Sequence, residues 1–143
     1  MDTKRIGNIG EVKTLSKFVE LNVPVFIPFG DNEKCDLIAE FNGKLNKIQC
    51  KTSVECKDEK IIFSLVSSTF HRKNGVKHIY NENEIDYFSL YNIKTDILLL
   101  VPIEILNGMK AISFRIPFNN KKKNQFKNLN FNDFLFEKMI IIN

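Results

Sequence analysis

Two segments of the sequence carry side chains that could act together on a phosphate ester. Asp36 opens a short apolar run, and Gln49 and Lys51 stand near the end of the next one. Asn42-Gly43 separates the two runs and is a strong indicator of a β-hairpin. Because side chains alternate along a strand, Gln49 and Lys51 share one face. The hairpin can therefore bring an acid, a neutral oxygen ligand and a lysine together.

These residue types suit metal-assisted hydrolysis of a phosphodiester. Such a reaction needs a polarised phosphoryl oxygen, a nucleophilic water and relief of the charge that develops on the phosphate. Oxygen ligands suit Mg²⁺, so we interpret Asp36 as the principal ligand and Gln49 as a carbonyl ligand. Lys51 would orient the water or neutralise developing charge. The spacing also fits an ordinary solvent-facing strand, and by itself it leaves both interpretations open.

The element expected to add a second acid is a helix over residues 8–22. Apolar residues fall at the three- and four-residue spacings of one helix face. They are Ile9, Val12, Leu15, Phe18 and Val19.

Asn8 is the predicted N-cap of this helix, and Glu11 completes a capping-box pattern three residues later. Glu11 would also reach the site from the helix and contribute a metal ligand. Gly7 and Gly10 are poor helix formers, so their presence suggests that the backbone approaches something closely.

Further runs with the composition of strands fill the rest of the chain. They lie at residues 23–29, 60–67, 84–91, 96–101 and 111–117. Two prolines place the first at a sheet edge, and the uninterrupted apolar run at 96–101 suits a strand buried on both faces. Residues 133–136 fit a helix or a strand. We expect a single α/β domain over residues 1–143.

Composition narrows the class of protein. The chain is 43% hydrophobic and 27% charged, with a net charge of +4, as expected of a soluble globular protein that could bind nucleic acid. Its three cysteines lack the spacing of a metal site, so reduced thiols are expected and zinc is not. No apolar run is long enough for a signal peptide or a membrane span, which predicts a cytoplasmic protein without membrane contact.

The order of these residues and elements resembles the PD-(D/E)XK nuclease superfamily. The motif is carried by Gly7 and Glu11 in the helix, Asp36 at the start of one strand, and Gln49 and Lys51 in the next.

Part of the sequence is especially similar to the small homing endonucleases encoded in group I introns. The similarity lies in residues 29–37 and 48–52. Cys35 stands where the superfamily usually has proline, and Gln49 stands where it usually has an acid. The glutamine variant occurs in those homing enzymes.

The resemblance implies a restriction-endonuclease-like core, a central mixed β-sheet flanked by helices. It also implies Mg²⁺-dependent cleavage of double-stranded DNA, with Mn²⁺ as a substitute. The implied catalytic set is Glu11, Asp36, Gln49 and Lys51, with the first three as metal ligands. A homodimer or homotetramer is expected, because one small site cuts one strand and a double-strand break calls for symmetric copies.

DNA contacts are expected from basic segments and from residues beside the site. The basic loop at 70–78 contributes His71, Arg72, Lys73, Asn74 and Lys77, and a second tract contributes Lys121, Lys122, Lys123, Gln125 and Lys127. Beside the site, Gly7, Thr52 and Ser53 could contact a phosphate. Either basic segment also fits a solvated loop in a lysine-rich chain.

Two other functions compete with the homing or restriction type of enzyme. One is a structure-specific nuclease like the Holliday-junction resolvases, and Gln49 argues against it because an acid is expected there. The other is a DNA-binding protein that kept the fold and lost catalysis. The presence of Glu11, Asp36 and Lys51 together argues against that.

Overall fold

The computed structural model describes residues 1–30, 34–67, 77–116 and 129–141. The helices are α1 (Thr3–Glu20) and α2 (Phe136–Met139), and short 3₁₀ helices cover Ile103–Leu106 and Phe131–Phe134. The strands are β1 (Val25–Phe26), β2 (Leu37–Phe41), β3 (Lys44–Ser53), β4 (Lys60–Ser64), β5 (Tyr87–Asn92), β6 (Ile97–Pro102) and β7 (Ala111–Arg115).

The predicted hairpin is β2 and β3, which pair antiparallel around Asn42 and Gly43. Both turn residues have positive φ, 53° and 73°, as a tight two-residue hairpin turn requires. The Asn42 side chain also donates to the Met139 carbonyl and accepts from the Ile141 N–H. The turn therefore holds the C-terminal segment as well as the strand register.

Within the described residues the central sheet has five strands in the order β1-β2-β3-β5-β6. β3 and β5 run parallel, and the other neighbours are antiparallel, so the sheet is mixed, as the resemblance implies. β1 lies at the edge that its flanking prolines predicted. The middle of β6 is buried, as predicted from its uninterrupted apolar run. β5 is buried along nearly its whole length, beyond what its alternating pattern predicted.

The two faces of the central sheet are covered differently. Phe18 of α1 and Phe136 of α2 pack against Ile48 on one face. On the other face, the separate two-stranded sheet of β4 and β7 packs Phe63 and Phe114 against the core. The hairpin is thus fixed between a helical layer and a β-ribbon.

The predicted start of the helix is wrong. α1 begins at Thr3, and its N-cap is Asp2, whose side chain accepts a hydrogen bond from the Arg5 N–H at 2.8 Å. Asn8 and Glu11 lie inside the helix and form no capping box. The cap lies upstream of the predicted one, so Gly7 and Gly10 fall inside the helix.

The predicted apolar face of α1 is wrong in part. Phe18 is buried and Leu15 packs half-buried against the core, but Val12 and Val19 are 63% and 64% exposed. The buried residues of the helix are Gly10, Thr14 and Phe18. Small and polar residues face the sheet because the helix packs closely and bonds to it there, which an apolar periodicity cannot detect.

Other element boundaries differ by a few residues. The run predicted at 60–67 ends its pairing with β7 at Ser64, and Val66 forms an isolated bridge to Ile79. The run predicted from residue 84 becomes a strand only at Tyr87, and the preceding Asp86 binds β3 through both its backbone N–H and its side chain. The C-terminal segment is helical, with a 3₁₀ helix followed by α2.

Most of the two basic segments lies outside the described residues. His71, Arg72, Lys73 and Asn74 belong to this group, as do residues 121–127 of the second tract. Lys77 is described and exposed. Of the helices described here, not one has the length and apolar character needed to cross a membrane.

Candidate active site

Asp36 is fixed to β3 by its backbone and by its side chain. Its N–H donates to the Ile48 carbonyl at 2.8 Å, and its Oδ2 accepts from the Cys50 N–H at 2.8 Å. Since Leu37 pairs with Ile48, Asp36 and Gln49 occupy adjacent positions on the two strands. The carboxylate therefore binds the backbone between the two predicted site residues of β3.

The two acids of the predicted site influence each other. Burial raises the pKa of Asp36, while the Cys50 N–H and the charge of Lys51 partly oppose this. Burial also raises the pKa of Glu11, and the nearby Asp36 carboxylate raises it further. Partial burial of both carboxylates, and repulsion of Glu11 by Asp36, disfavour their ionised forms, and a bound cation would oppose this effect.

Lys51 is held away from bulk solvent. Its Nζ donates to the Val66 carbonyl at 2.7 Å and lies 5.6 Å from the centre of the Tyr80 ring. Burial lowers the pKa of this amine, against the charge of Asp36, which raises it. The lysine is thus directed by two groups that the motif does not include.

The packing of α1 positions Glu11 over the sheet. The Thr14 hydroxyl lies 2.7 Å from the Ser89 hydroxyl and donates to the Gly10 carbonyl at 2.8 Å. A Cβ built on Gly10 would lie 1.9 Å from Thr52 Oγ1. The close approach predicted from the early glycines is therefore present at Gly10, one residue before the acid.

Thr52 and Ser53 end β3 directly after Lys51. Thr52 Oγ1 is buried against α1 at Gly10 and has no hydrogen-bond partner among the described residues. Ser53 Oγ accepts a hydrogen bond from Asn92 Nδ2 at 2.7 Å. Both residues line the groove along β4, and a phosphate contact by either of them stays a prediction.

A polar cleft beside the site brings Gly7, Lys51 and Lys77 together. Its volume is about 380 Å³. Its remaining lining residues are Thr3, Ile6, Cys50, Thr52, Ser64, Val66 and Ser67. A Cβ built on Gly7 would meet no atom within 4 Å, so the missing side chain leaves the cleft open rather than permitting close packing.

A second groove continues from this cleft along α1 and β4. It has a volume of about 420 Å³, shares Thr3, Ile6, Thr52 and Ser64 with the cleft, and also contains Lys57 and Lys60. Sequence reasoning missed Lys60, because nothing local shows that β4 lies beside the site. A depression of about 580 Å³ on the outer side of α1 contains none of the predicted site residues.

The donor set fits a hard cation that keeps part of its water shell. The described residues contain no group of three or more His, Cys, Asp or Glu side chains placed to hold a metal. Asp36 and Glu11 offer carboxylates, and Gln49 offers an amide carbonyl. Mg²⁺ commonly binds through one or two carboxylates and several waters, so this set fits Mg²⁺ better than Zn²⁺.

Comparisons with known proteins support the family and the fold. The family model described as PD-(D/E)XK endonuclease matches residues 1–136. The solved structure of a bacterial homing endonuclease, I-Ssp6803I, superposes with a TM-score of 0.70 at 20% sequence identity. The match covers 87% of this chain and 84% of the other. A search of curated proteins finds no match.

Proposed function

This chain belongs to the PD-(D/E)XK endonuclease family, and we propose that it hydrolyses phosphodiester bonds of double-stranded DNA with Mg²⁺, as a homing or restriction-type enzyme. The observation that carries the proposal is the hydrogen bond from the Cys50 N–H to Asp36, at 2.8 Å. It joins the acid to the backbone between Gln49 and Lys51. The influence of Asp36 on the pKa of Glu11 adds the second acid to the same site.

Asp36, Glu11 and Gln49 are the residues that would hold the cation. When bound, Mg²⁺ supplies a Lewis acid for a phosphoryl oxygen. Mn²⁺ shares the preference for oxygen ligands and is expected to substitute. Burial raises the pKa of Asp36 and of Glu11, and a bound cation would favour the ionised form of both carboxylates.

Lys51 is the group that would stabilise charge during hydrolysis. Water adds to phosphorus, the bond to the leaving oxygen breaks, and negative charge builds on the phosphoryl oxygens. An ammonium has three N–H donors, and one of those on Lys51 is used by the Val66 carbonyl. The others can donate to the phosphate or to the attacking water.

The cleft and the groove supply a route for the DNA backbone. Lys77 lines the cleft beside Lys51, and Lys57 and Lys60 line the groove that continues from it. Phosphate contacts of this kind set affinity, whereas base contacts set sequence choice. Outside the described residues, His71, Arg72, Lys73 and Asn74 remain our candidates for contacts to bases or phosphates.

Double-strand cleavage by this site calls for more than one copy of the chain. One active centre hydrolyses one strand, so we propose a homodimer or homotetramer with two centres facing opposite strands. Size measurement by light scattering, with and without DNA, tests this part of the proposal.

A plasmid library tests the function directly. The protein is incubated with supercoiled plasmids in Mg²⁺, in Mn²⁺ and in EDTA, alongside the Asp36→Asn variant. We expect discrete cuts that need the cation and are absent with the variant, and sequencing of the ends gives the target. Cation-independent cuts, or equal cutting by Asp36→Asn, would contradict the proposal.

A four-way junction serves as the second substrate. Cutting of the junction without any cut in linear duplex would identify a resolvase. DNA binding without cleavage of either substrate would identify a binding protein that kept the fold.

A further inference from the structure

The ammonium of Lys51 is approached from two sides. One is the Val66 carbonyl oxygen, 2.7 Å from Nζ, and the other is the Tyr80 ring, whose centre lies 5.6 Å from Nζ. A lysine side chain has four rotatable carbon–carbon bonds and loses much of its freedom only when its end is held. Both contacts hold the end of this side chain.

The Tyr80 ring is itself fixed by its surroundings. It is buried, and it meets Phe88 edge-to-face with centres 5.7 Å apart and planes at 90°. His78 packs on it in the same manner at 5.3 Å, and its Nε2 lies 2.7 Å from the Glu84 carboxylate. Phe88 is the neighbour of Gln49 in the parallel pairing of β5 with β3. The ring therefore packs against β5, the strand that pairs with the site strand β3.

A short backbone pairing joins the two groups that hold the amine. Val66 bridges Ile79, the Ser67 N–H donates to the His78 carbonyl at 2.9 Å, and the His78 N–H donates to the Ser67 hydroxyl at 2.9 Å. Val66 belongs to this pairing and Tyr80 directly follows Ile79, so the pairing fixes the distance between the Val66 carbonyl and the Tyr80 ring. The ammonium of Lys51 lies between them: it donates to the Val66 carbonyl and makes a cation–π contact with the Tyr80 ring.

We propose that Tyr80 is a positioning residue that fixes the ammonium of Lys51 beside Asp36 through the face of its ring. The inference rests on the proposed function for its catalytic consequence, and on contacts alone for the placement of the amine. Without the ring, the amine keeps the Val66 bond but can swing through the space that the ring fills. The catalytic step then slows, while DNA binding is unchanged.

Three variants separate the ring from general loss of packing. Tyr80→Phe keeps the ring, Tyr80→Leu removes it, and Phe63→Leu removes a ring from the same buried cluster, where it packs against Phe114. Should Tyr80→Leu fail to fold, Tyr80→Met replaces it, since its flexible, unbranched side chain adapts to irregular space in a core. Thermal melting of each variant precedes the assays.

The first readout is the single-turnover cleavage rate at saturating DNA, set against the DNA dissociation constant. We expect Tyr80→Leu to lower the rate at least about tenfold with the dissociation constant within twofold. Tyr80→Phe should stay within about threefold of wild type in both quantities, as should Phe63→Leu. An equal loss of rate in Tyr80→Leu and Phe63→Leu would overturn the proposal.

The second readout does not depend on nuclease activity. Acetic anhydride labelling at one fixed pH, followed by mass spectrometry, gives the reactivity of Lys51 relative to the exposed Lys57. We expect this ratio to rise several-fold in Tyr80→Leu and to stay unchanged in Tyr80→Phe and Phe63→Leu.

The two readouts fail separately. An unchanged labelling ratio in Tyr80→Leu would overturn the placement of the amine by the ring. If wild type cuts no DNA and the labelling ratio still rises in Tyr80→Leu, the proposed function fails and the placement of Lys51 stands.

Discussion

Asp36 and Asp86 both bind the backbone of β3, and their remaining contacts differ. Asp36 accepts from the Cys50 N–H and Asp86 from the Lys47 N–H, each at 2.8 Å. The second oxygen of Asp86 also accepts from Lys44 Nζ at 2.9 Å. Asp86 thus uses both carboxylate oxygens within the fold.

Asp36 bonds to no lysine within the described part of the chain. Among the described residues, only its Oδ2 accepts a hydrogen bond, and the nearby Lys51 donates to the Val66 carbonyl instead. The two lysines differ as well: bonding to Asp86 raises the pKa of the exposed Lys44, whereas burial lowers the pKa of Lys51. Similar residues therefore give a completed structural contact at Asp86 and an acid that can still take a cation at Asp36.

The largest expected difference is between the two Asp→Asn variants. We expect Asp36→Asn to lower the cleavage rate by at least about 100-fold, because it removes the charged ligand where phosphate charge must be offset. Asp86→Asn should keep the rate within about twofold and lower the free energy of unfolding by about 1–3 kcal/mol, since it weakens a charged hydrogen bond. Single-turnover cleavage and urea unfolding measure the two effects. Equal cleavage rates in the two variants would contradict the different roles of Asp36 and Asp86.

The two lysines should separate in the same assay. Lys51→Ala removes a donor to the reacting phosphate, and we expect a loss of about 100-fold in rate. Lys44 has a side chain that is 62% exposed, and its ion pair with Asp86 is a surface pair worth about 1 kcal/mol or less. Lys44→Ala should therefore change neither the cleavage rate nor the free energy of unfolding substantially. A large loss of rate in this variant would indicate that the chemistry takes place at Asp86 rather than at Asp36.

Stabilisation of the protein by divalent cations should require Asp36. Mg²⁺ or Mn²⁺ at about 100 times its dissociation constant adds about 2.7 kcal/mol, which for a domain of this size raises the melting temperature by about 5–10 °C. We expect this rise in wild type and in Asp86→Asn, measured by differential scanning fluorimetry. A rise of the same size in Asp36→Asn would show that the cation binds elsewhere.

Without a cation, Asp36 should make stability depend on pH. Its pKa in the folded state is raised by burial, so the folded protein binds more protons than the unfolded chain above pH of about 4. Stability then falls as the pH rises through the raised pKa and stays reduced above it. In urea melts with EDTA, we expect the free energy of unfolding of Asp36→Asn to rise relative to that of wild type between pH of about 4 and 7. A difference that stays constant with pH would contradict this.

The smallest effects concern Gly7 and Gly10 of α1, the helix that carries Glu11. Gly10→Ala places a Cβ against Thr52 and should lower stability by about 1–3 kcal/mol. Gly7→Ala meets open space and should raise stability by up to about 1 kcal/mol through helix propensity. Thermal melts distinguish the two, and the opposite order would place a different side of the helix against the sheet.

Local patterns in the sequence were sufficient to predict the hairpin and the family, and the roles of Asp36, Gln49 and Lys51 stay predictions. A tight two-residue hairpin turn needs positive φ at both of its positions, and Asn42 and Gly43 both have positive φ. The motif from Gly7 to Lys51 follows the chain order of a family that the comparisons support. These features depend on neighbouring residues or on order alone.

The features that could not be predicted depend on contacts distant in the sequence. The buried stripe of α1 includes Gly10 and Thr14 because Thr52 and Ser89 face them, and no apolar periodicity records this. Tyr80 and the Val66 carbonyl reach Lys51 only after β4 has crossed beneath the central sheet. A backbone carbonyl has no sequence signature at all.

The most direct test of the account is to map the cation on the protein itself. Fe²⁺ bound in place of Mg²⁺, with ascorbate and peroxide, cleaves the backbone beside its own binding site. The account predicts cuts near residues 11, 36 and 49–51 that excess Mn²⁺ suppresses and that Asp36→Asn removes. Cuts centred near Asp86, or cuts that persist in Asp36→Asn, would contradict it.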